Sequence, residues 1–300
     1  MNPLDDLPGA VTVYEVGPRD GLQNQPEPVP VDVKVRFVDM LSASGLPRIE
    51  VTSFVRPGAI PQLSDAEEVV ASINRAPQTL YTALVPNVRG MERARAAGLG
   101  GIAVFTAASE SFSRHNTNAS VAETLQRFRP VAEEARRLKL WLRGYISTAF
   151  GCPYEGTVPI DAVVSVARSL GEIGVDEIAV SDTIGVATPR QVVDVIGAMA
   201  EAFPLERIAL HFHDTRGTAL ANVLAGLQVG VTTFDSSAGG LGGCPYAPGA
   251  SGNLATEDLL YMLDGLGIET GVSLTGVVEA TRYLAAETGI VPTSRYVQAA

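Results

Sequence analysis

Short runs of apolar and β-branched residues recur along the chain, and each is followed by a longer stretch with a helical pattern. Near-continuous apolar runs of this length are typical of strands that are buried on both faces, as in parallel sheets. The pattern predicts eight strands. They are VTVYEVG at 11–17, RIEVTSF at 48–54, LYTALVP at 80–86, GIAVFTA at 101–107, LWLRGYIST at 140–148, DEIAVSD at 176–182, RIALHFHD at 207–214 and TTFDSSA at 232–238.

The stretches between these runs carry the start and stop signals of helices. Ser64 and Ser120 each precede a glutamate by three residues, which is the spacing of a capping box. Thr188 precedes Pro189, as an N-cap precedes a proline in the first helical position. Four glycines follow helical stretches, where a left-handed C-cap favours glycine: Gly45, Gly98, Gly174 and Gly230.

The order of these elements predicts the fold. Strand and helix alternating eight times is the pattern of an α/β protein of the (β/α)8 TIM-barrel class, closed by right-handed crossovers. A last helical stretch at about 273–289 then forms an additional C-terminal helix. No low-complexity segment or Pro/Ser-rich linker interrupts the 300 residues, so we predict a single catalytic barrel domain over 1–300.

Composition narrows the classes of partner. The formal net charge is −11 and no basic run compensates it, which argues against nonspecific binding to nucleic acid or to an anionic membrane. No apolar run approaches ~18 residues, so no transmembrane helix is predicted. The N-terminus has no positively charged segment followed by an apolar one, and the two cysteines imply no disulfide framework. These features predict a cytoplasmic protein.

Unusual polar residues fall where the predicted strands end, and in such barrels the active site lies at the carboxyl ends of the strands. The candidates are Arg19 and Asp20 after the first run, Glu50 in the second, Asp182 in the sixth, His211 and His213 in the seventh, and Cys244 and Asn253 in the glycine-rich loop after the eighth. Glu50 is the hardest to explain by packing alone, because a carboxylate inside a strand needs a partner or a metal.

His211 and His213 raise the question of a metal site. The chain has only three histidines, and these two are separated by one residue, so on a strand they point to the same face. With a carboxylate and an amide oxygen they make a mixed N/O ligand set that suits Mg²⁺, Mn²⁺ or Zn²⁺. A pair of core histidines satisfied by their neighbours is the alternative. The third histidine, His115, is interpreted as a loop residue.

Most of the other candidates also have a purely structural interpretation. Arg19 and Asp20 are typical of a surface ion pair. Asp182 is placed to cap the following helix, and Asn253 is placed to be the N-cap of the helix that begins LATEDLL. Cys244 is compatible with a small inert side chain, although it lies among glycines and not in an apolar run.

Long stretches of the chain match one family of enzymes. They are EVGPRDGLQN, EVTSFV, RGYIST followed by GCPYEG, SDTIG, HFHDT, GLGGCPYAPGASGN and NLATEDLLYMLDGLGI. With these stretches the chain closely resembles the 3-hydroxy-3-methylglutaryl-CoA lyase family from about Val11 to about Gly289. The resemblance implies a (β/α)8 barrel that cleaves the CoA thioester to acetyl-CoA and acetoacetate with a divalent cation, Mg²⁺ or Mn²⁺.

The resemblance also implies roles for individual residues. The implied metal ligands are Asp20, His211, His213 and Asn253. The polar positions that support the site are matched by Glu50, Asp182 and Glu257. Arg19 would bind the substrate and stabilise the enolate of acetyl-CoA, and Cys244 would be the catalytic cysteine on a mobile lid loop. The general base and acid are not distinguished, with Asp20, Cys244 and a histidine as candidates.

One departure from the family lies just before this loop. The chain has Ala238 and Gly239 where the family usually has a bulkier residue and then alanine. Because glycine reaches backbone angles that are closed to other residues, the added glycine predicts a looser lid.

The resemblance further implies an acyl-CoA substrate, a homodimer and a role in leucine degradation. Two related enzymes are alternatives: a lyase for a bulkier 3-hydroxy-3-substituted-glutaryl-CoA, such as the isohexenyl compound, and a Claisen-type condensing enzyme of the same superfamily. The condensing enzymes usually carry RDGEQ, where this chain has Leu22 in RDGLQ. A non-catalytic barrel that senses an acyl-CoA is the alternative from another class of protein.

Overall fold

Eight parallel strands close into a barrel, so the predicted (β/α)8 fold is confirmed. The computed structural model describes residue 4 and residues 6–243 and 252–300. Each strand pairs with its neighbours in sequence, and β8 pairs with β1. The strands are β1 (Thr12–Glu15), β2 (Arg48–Ser53), β3 (Leu80–Leu84), β4 (Gly101–Ala107), β5 (Trp141–Ser147), β6 (Glu177–Asp182), β7 (Ile208–Phe212) and β8 (Thr233–Ser236).

Helices surround the barrel and connect its strands. They are α1 (Val31–Ala43), α2 (Ala66–Ser72), α3 (Val88–Ala97), α4 (Glu110–Thr117), α5 (Val121–Arg137), α6 (Ile160–Ile173), α7 (Pro189–Ala200), α8 (Ala219–Gln228), α9 (Thr256–Gly265), α10 (Leu274–Thr288) and α11 (Arg295–Ala299). The predicted C-terminal helix is α10, while the short α4 and α11 were not predicted. Within the described ranges, no helix is both long enough and apolar enough to cross a membrane.

The start and stop signals that the sequence placed between the strands hold in the structure, except at Ser64. Ser120 accepts from the N–H of Glu123 at 3.2 Å, and Glu123 accepts from the N–H of Ser120 at 2.7 Å, which is a complete capping box. Thr188 caps α7 in the same way. The prediction at Ser64 is wrong, because this hydroxyl donates to the Pro61 carbonyl at 2.8 Å and α2 begins two residues later. The predicted C-terminal glycines have positive φ: Gly45 at 91°, Gly98 at 67°, Gly174 at 92° and Gly230 at 90°.

The barrel interior contains charged side chains as well as apolar ones. Small and aliphatic residues pack at its centre: Leu84, Ala103, Ala179 and Ala209. The guanidinium of Arg143 is fully buried between two aromatic rings, 3.9 Å from the centroid of Tyr14 and 4.9 Å from that of Tyr145. Because buried charges are stable only when paired, this interior must hold matching carboxylates.

Candidate metal centre at the mouth of the barrel

A π-helical turn, Gly17–Gly21, follows β1 and brings Arg19 and Asp20 into the mouth of the barrel. Turns of this kind are rare and frequently lie at functional sites. Both side chains are buried, with Arg19 6% and Asp20 9% exposed. The interpretation of these two residues as a surface ion pair is therefore wrong.

The Arg19 guanidinium joins two carboxylates. Its Nε donates to Glu50 and its Nη1 donates to Asp20. Burial raises the pKa of Glu50, and the Arg19 charge opposes that rise. Burial is the largest influence on Asp20 and would also raise its pKa, but the Arg19 charge and smaller contributions from neighbouring groups together outweigh it, and the pKa falls to about 2. Asp20 is therefore ionised at neutral pH, and the contacts to both carboxylates fix the orientation of the guanidinium.

His211 and His213 point into the same site, as predicted from their spacing. Their ring centroids are 5.4 Å apart, and ligand atoms of both histidines and Asp20 all lie within 4.8 Å of one another. Burial lowers the pKa of His213 to about 4, so the ring is neutral and can offer a lone pair. His115 lies elsewhere, on α4 and not in the predicted loop, where its ring stacks on Tyr154 at 4.1 Å.

Asn253 completes this group from the other side. It forms an isolated antiparallel bridge with His213. Its Nδ2 donates to Asp20 Oδ2 at 2.9 Å and to the Leu241 carbonyl at 3.0 Å, which fixes the direction of Oδ1. The prediction that Asn253 is a helix N-cap is wrong, because Ala255 holds that position before α9.

The donor set fits a divalent cation. A carboxylate, two imidazoles and an amide oxygen are ligands that Mg²⁺ and Mn²⁺ accept. Asn253 Oδ1 and His213 Nδ1 are buried and have no hydrogen-bond partner in the part of the chain that the structure describes. A buried polar atom without a partner costs about 1–3 kcal/mol, which a bound cation could offset. The residues that could hold it are Asp20, His211, His213 and Asn253.

Two glycines allow the backbone to approach Asn253. Gly242 has a φ of 122°, and a Cβ on it would lie 2.6 Å from Asn253 Nδ2. A Cβ on Gly252 would lie 2.5 Å from the carbonyl carbon of Gly242. Larger residues at these two positions would therefore displace the amide. Cys244, the predicted catalytic cysteine, lies outside the described residues.

Asp182 shapes the loop between β6 and α7. Its two carboxylate oxygens accept the N–H groups of Val186 and Ala187, both at 2.9 Å. The predicted helix-capping role is wrong, because the N-cap of α7 is Thr188. Burial raises the pKa of Asp182 to about 6, although these hydrogen bonds oppose the rise. The carboxylate thus stabilises a loop at the mouth of the barrel.

Two charged residues behind the histidines were not predicted. Asp235 Oδ2 lies 3.1 Å from His211 Nδ1, and Asp235 Oδ1 accepts from Arg143 Nη2 at 2.6 Å. Burial opposes ionisation of Asp235, but the Arg143 charge and the hydrogen bonds from His211 and Arg143 together outweigh it and lower the pKa of Asp235. Both residues are charges inside apolar strand runs, the signal that singled out Glu50. Applied throughout, that signal would have found them.

Two further buried carboxylates hold the start of the glycine-rich loop. Glu15 accepts from the Ala238 N–H at 2.9 Å and from the Thr256 hydroxyl at 2.7 Å. Glu257 accepts from the N–H of Gly239 at 2.9 Å. Burial raises the pKa of each carboxyl to about 7. The N–H of Gly239 is therefore held by a carboxylate, while residues 244–251 of the lid loop that this glycine was predicted to loosen lie outside the described residues.

A cavity of about 380 Å³ opens beside the proposed metal ligands. Its size suits a small-molecule site. Its lining includes the polar side chains of Arg19, Asp20, His211 and His213. It also includes apolar side chains: Val55, Ile60, Leu84, Phe105 and Phe112. The lining therefore combines charged groups with apolar surface.

Several known proteins are similar to this chain in sequence and in fold. Residues 10–284 match the HMGL-like family. The chain is 49% identical to hydroxymethylglutaryl-CoA lyase YngG of Bacillus subtilis over 97% of each chain. It is 50% identical to the 3-hydroxy-3-isohexenylglutaryl-CoA/hydroxy-methylglutaryl-CoA lyase of Pseudomonas aeruginosa over 95% of each.

A solved structure agrees in fold. The HMG-CoA lyase from Acinetobacter baumannii, in complex with coenzyme A and 3-methylmalate, superposes with a TM-score of 0.92. The two chains are 39% identical in sequence, and the superposition covers 97% of this chain and 95% of the other. Because the sequence match spans nearly the whole barrel, including the turn after β1 and the two histidines His211 and His213, this chain belongs to the HMGL-like family.

Proposed function

We propose that this protein cleaves 3-hydroxy-3-methylglutaryl-CoA to acetyl-CoA and acetoacetate in a reaction that depends on a divalent cation. The observation that carries the proposal is the convergence of Asp20, His211 and His213 beside a cavity that Arg19 also lines. The names of relatives that share about half of their residues with this chain over nearly its full length support the same activity.

The metal centre is proposed to consist of four side chains. Asp20, His211, His213 and Asn253 would hold Mg²⁺ or Mn²⁺, because carboxylate and amide oxygens suit hard cations and imidazole tolerates Mn²⁺. When bound, the cation supplies a positive charge that acidifies the C3 hydroxyl and orients the oxygens of the substrate.

The reaction is a retro-Claisen cleavage with two proton transfers. A base takes the proton of the C3 hydroxyl, and the C3–O bond becomes the ketone of acetoacetate. The C2–C3 bond breaks, and its electron pair forms an enolate on the thioester fragment. An acid then protonates C2 and releases acetyl-CoA, so that one proton is removed and one is returned. The net reaction requires no oxidant or further reactant.

Asp20 and Cys244 are our candidates for the base and the acid. Asp20 is ionised at neutral pH and lies beside the cavity, so it can accept a proton. Cys244 lies outside the described residues, so its role as a candidate rests on the family resemblance alone. A histidine is the third candidate. The assignment of base and acid among these groups is left to kinetic measurement.

Arg19 is proposed to bind the thioester oxygen and to stabilise the enolate. A fixed cation aimed at an oxygen that gains charge in the transition state is an effective catalyst. Glu50 would position this guanidinium through its contact with Nε. Asp182 would act indirectly, by holding the loop after β6.

A second candidate substrate carries a longer apolar group at C3. Part of the cavity lining is apolar and could contact such a group: Val55, Ile60, Leu84, Phe105 and Phe112. The Pseudomonas aeruginosa relative is named for both the isohexenyl and the methyl compound. Either substituent would leave the chemistry at C2 and C3 unchanged.

We extend the proposal to the cellular form of the enzyme. The relative solved with coenzyme A supports an acyl-CoA substrate. A homodimer and a role in leucine degradation follow from the family resemblance, and a cytoplasmic location follows from the sequence features that predicted it. The assignment of residues 1–300 to a single catalytic domain stays a prediction.

The proposal is tested by measuring products from both substrates. Purified protein is stripped with a chelator, resupplied with Mg²⁺ or Mn²⁺, and incubated with the methyl or the isohexenyl CoA ester. We expect acetyl-CoA and acetoacetate in equal amounts from the methyl ester. Cleavage of the isohexenyl ester alone would change the substrate but keep the reaction. Absence of cleavage with both esters would overturn the proposed lyase activity.

A further inference from the structure

We propose that Arg143 and Asp235 are positioning residues of the metal centre, which together make His211 present Nε2 and not Nδ1 to the cation. Neither residue belongs to the proposed ligand set. The inference rests on the proposed metal site, but it concerns the arrangement of the protein before any substrate binds. It also assigns a role to Arg143 and Asp235, which are charged residues buried inside the barrel.

The three residues form a continuous chain of contacts. His211 on β7 lies opposite Asp235 on β8 in the strand register. The distance from His211 Nδ1 to Asp235 Oδ2 is 3.1 Å, and Arg143 Nη2 donates to Asp235 Oδ1 at 2.6 Å. All are buried, with Arg143 at 0%, Asp235 at 2% and His211 at 6% exposure. Water therefore competes little for these contacts.

The hydrogen-bonding roles follow from the contacts. Each oxygen of the Asp235 carboxylate faces a nitrogen atom, Oδ1 that of Arg143 and Oδ2 that of His211. A carboxylate paired with a guanidinium accepts hydrogen bonds, so His211 donates from Nδ1, and Nε2 is the atom left to bind a metal. Metal-binding histidines commonly have a carboxylate partner of this kind, which fixes the tautomer and the ring orientation.

Arg143 decides which way the Asp235 carboxylate faces. The guanidinium is held between the rings of Tyr14 and Tyr145, and its Nε lies 3.1 Å from Glu177 Oε1. It therefore cannot move away from Asp235 without leaving buried charges unpaired, which is strongly unfavourable. Its Nη2 requires an acceptor at the position of Asp235 Oδ1. With Oδ1 turned to Arg143, the other oxygen, Oδ2, is the one that faces His211.

This arrangement makes an unusual prediction for Asp235→Asn, a substitution of nearly the same shape. Arg143 still requires an acceptor, so the amide oxygen faces Arg143 and the amide nitrogen faces His211. The nitrogen donates to His211 Nδ1, which moves the ring proton to Nε2 and blocks metal binding there. We expect a loss of Mn²⁺ affinity of about 10- to 100-fold, the usual effect of changing such a partner.

Removing Arg143 as well should reverse part of this loss. In the double variant Arg143→Met/Asp235→Asn, no donor fixes the amide, so its oxygen can turn toward His211 and restore the Nδ1–H tautomer. We expect the double variant to bind Mn²⁺ more tightly than Asp235→Asn alone. A merely structural role for Arg143 predicts the opposite order, because the double variant would carry both defects.

Two measurements without substrate test the proposal. Electron paramagnetic resonance of free Mn²⁺ gives the dissociation constant, and long-range ¹H–¹⁵N NMR gives the histidine tautomers, which are few because the chain has only three histidines. Lys34→Met is the control, since Lys34 is a buried cation paired with Asp65 at 2.8 Å away from the histidines. We expect it to lower the melting temperature and to leave Mn²⁺ affinity unchanged.

The outcomes separate this proposal from the proposed function. An Nε2–H tautomer of His211 in Asp235→Asn, with recovered Mn²⁺ affinity in the double variant, supports it. An unchanged Nδ1–H tautomer with wild-type affinity in Asp235→Asn overturns it, and this single variant decides the matter should the double variant not fold. A double variant that folds and binds no better than Asp235→Asn also overturns it. Failure to cleave either ester would refute the proposed lyase activity but would not contradict the positioning of His211.

Discussion

Asn253 Nδ2 lies 2.9 Å from Asp20 Oδ2, although 233 positions separate the two residues in the sequence. The contact joins the segment after β8 to the π-helical turn after β1, at the seam where the barrel closes. It uses the amide nitrogen of Asn253 and leaves Oδ1 as a buried acceptor. One hydrogen bond therefore orients two of the proposed metal ligands.

Replacing Asn253 by alanine should weaken cation binding. The substitution removes a proposed ligand and the tether on Asp20, so we expect the dissociation constant of Mn²⁺ to rise by at least about tenfold. Asn222→Ala is the matched control, because Asn222 is equally buried but donates to the Ala187 carbonyl at 3.0 Å. Calorimetric titration of both variants checks this. Equal affinities in the two variants would contradict the assignment of Asn253.

Arg19→Lys should lower kcat by about 10²- to 10³-fold, the usual effect of losing one fixed donor to a developing oxyanion. An ammonium group cannot reproduce the two directed contacts that the guanidinium makes with Glu50 and Asp20. The affinity for Mn²⁺ should change much less, because the ligands remain. Steady-state kinetics at saturating Mn²⁺ would argue against this role if kcat stayed at the wild-type value.

Glu15 should make stability depend on pH. Its pKa is raised from 4.5 to about 7, so the folded protein binds a proton in this range that the unfolded chain releases. The contribution is fully present below pH 4.5 and is lost as the pH rises through about 7, by up to about 1.4 kcal/mol per pH unit. The free energy of unfolding should therefore fall across this window.

Glu15→Gln isolates this contribution. Glu15 Oε1 accepts from the N–H groups of Gly17 at 2.7 Å and Ala238 at 2.9 Å, and an amide oxygen can keep both hydrogen bonds. Urea unfolding of both proteins from pH 5 to pH 8 gives the difference in stability. We expect the advantage of the wild type over the variant to shrink as the pH rises. An advantage that stays constant or grows would show that the burial of Glu15 has no such effect.

Asp182→Ala should act on stability more than on the metal. The substitution leaves the N–H groups of Val186 and Ala187 without their acceptor, which costs about 1–3 kcal/mol for each group that stays buried. Asp182→Asn keeps one acceptor oxygen and should lose less. We expect Mn²⁺ affinity within a few-fold of the wild type in both variants. A large loss of Mn²⁺ affinity with unchanged thermal stability would instead assign Asp182 to the metal site.

Much of the fold was predictable, because the cause of each element is local. Each of the eight apolar runs contains one strand, and Ser273 and Gly289 correctly bound the C-terminal helix. The Ser64 cap failed because a competing local hydrogen bond to Pro61 delays the start of α2. The capping-box spacing alone could not reveal this hydrogen bond, which depends on the geometry of the turn before α2.

The site was predictable only in part, for a different reason. The spacing of His211 and His213 put both rings on one face without any knowledge of the barrel. The pairing of Arg143 with Asp235 joins residues 92 positions apart across the barrel interior, so no local pattern indicates it. Asn253 was a candidate from its place in the loop after β8, and the family resemblance implied a metal ligand, but local reasoning equally allowed the role of a helix cap, which is wrong.

The most direct test of the account compares two histidine variants in a metal titration. Chelator-stripped wild type, His213→Ala and His115→Ala are incubated with 3-hydroxy-3-methylglutaryl-CoA, and acetoacetate is measured as Mn²⁺ is added. His115 is the control, since it lies on α4 and stacks on Tyr154. We predict Mn²⁺-dependent acetoacetate from the wild type and from His115→Ala, and almost none from His213→Ala. Full activity of His213→Ala, or cleavage that does not depend on added metal, would contradict a metal centre built on His211 and His213.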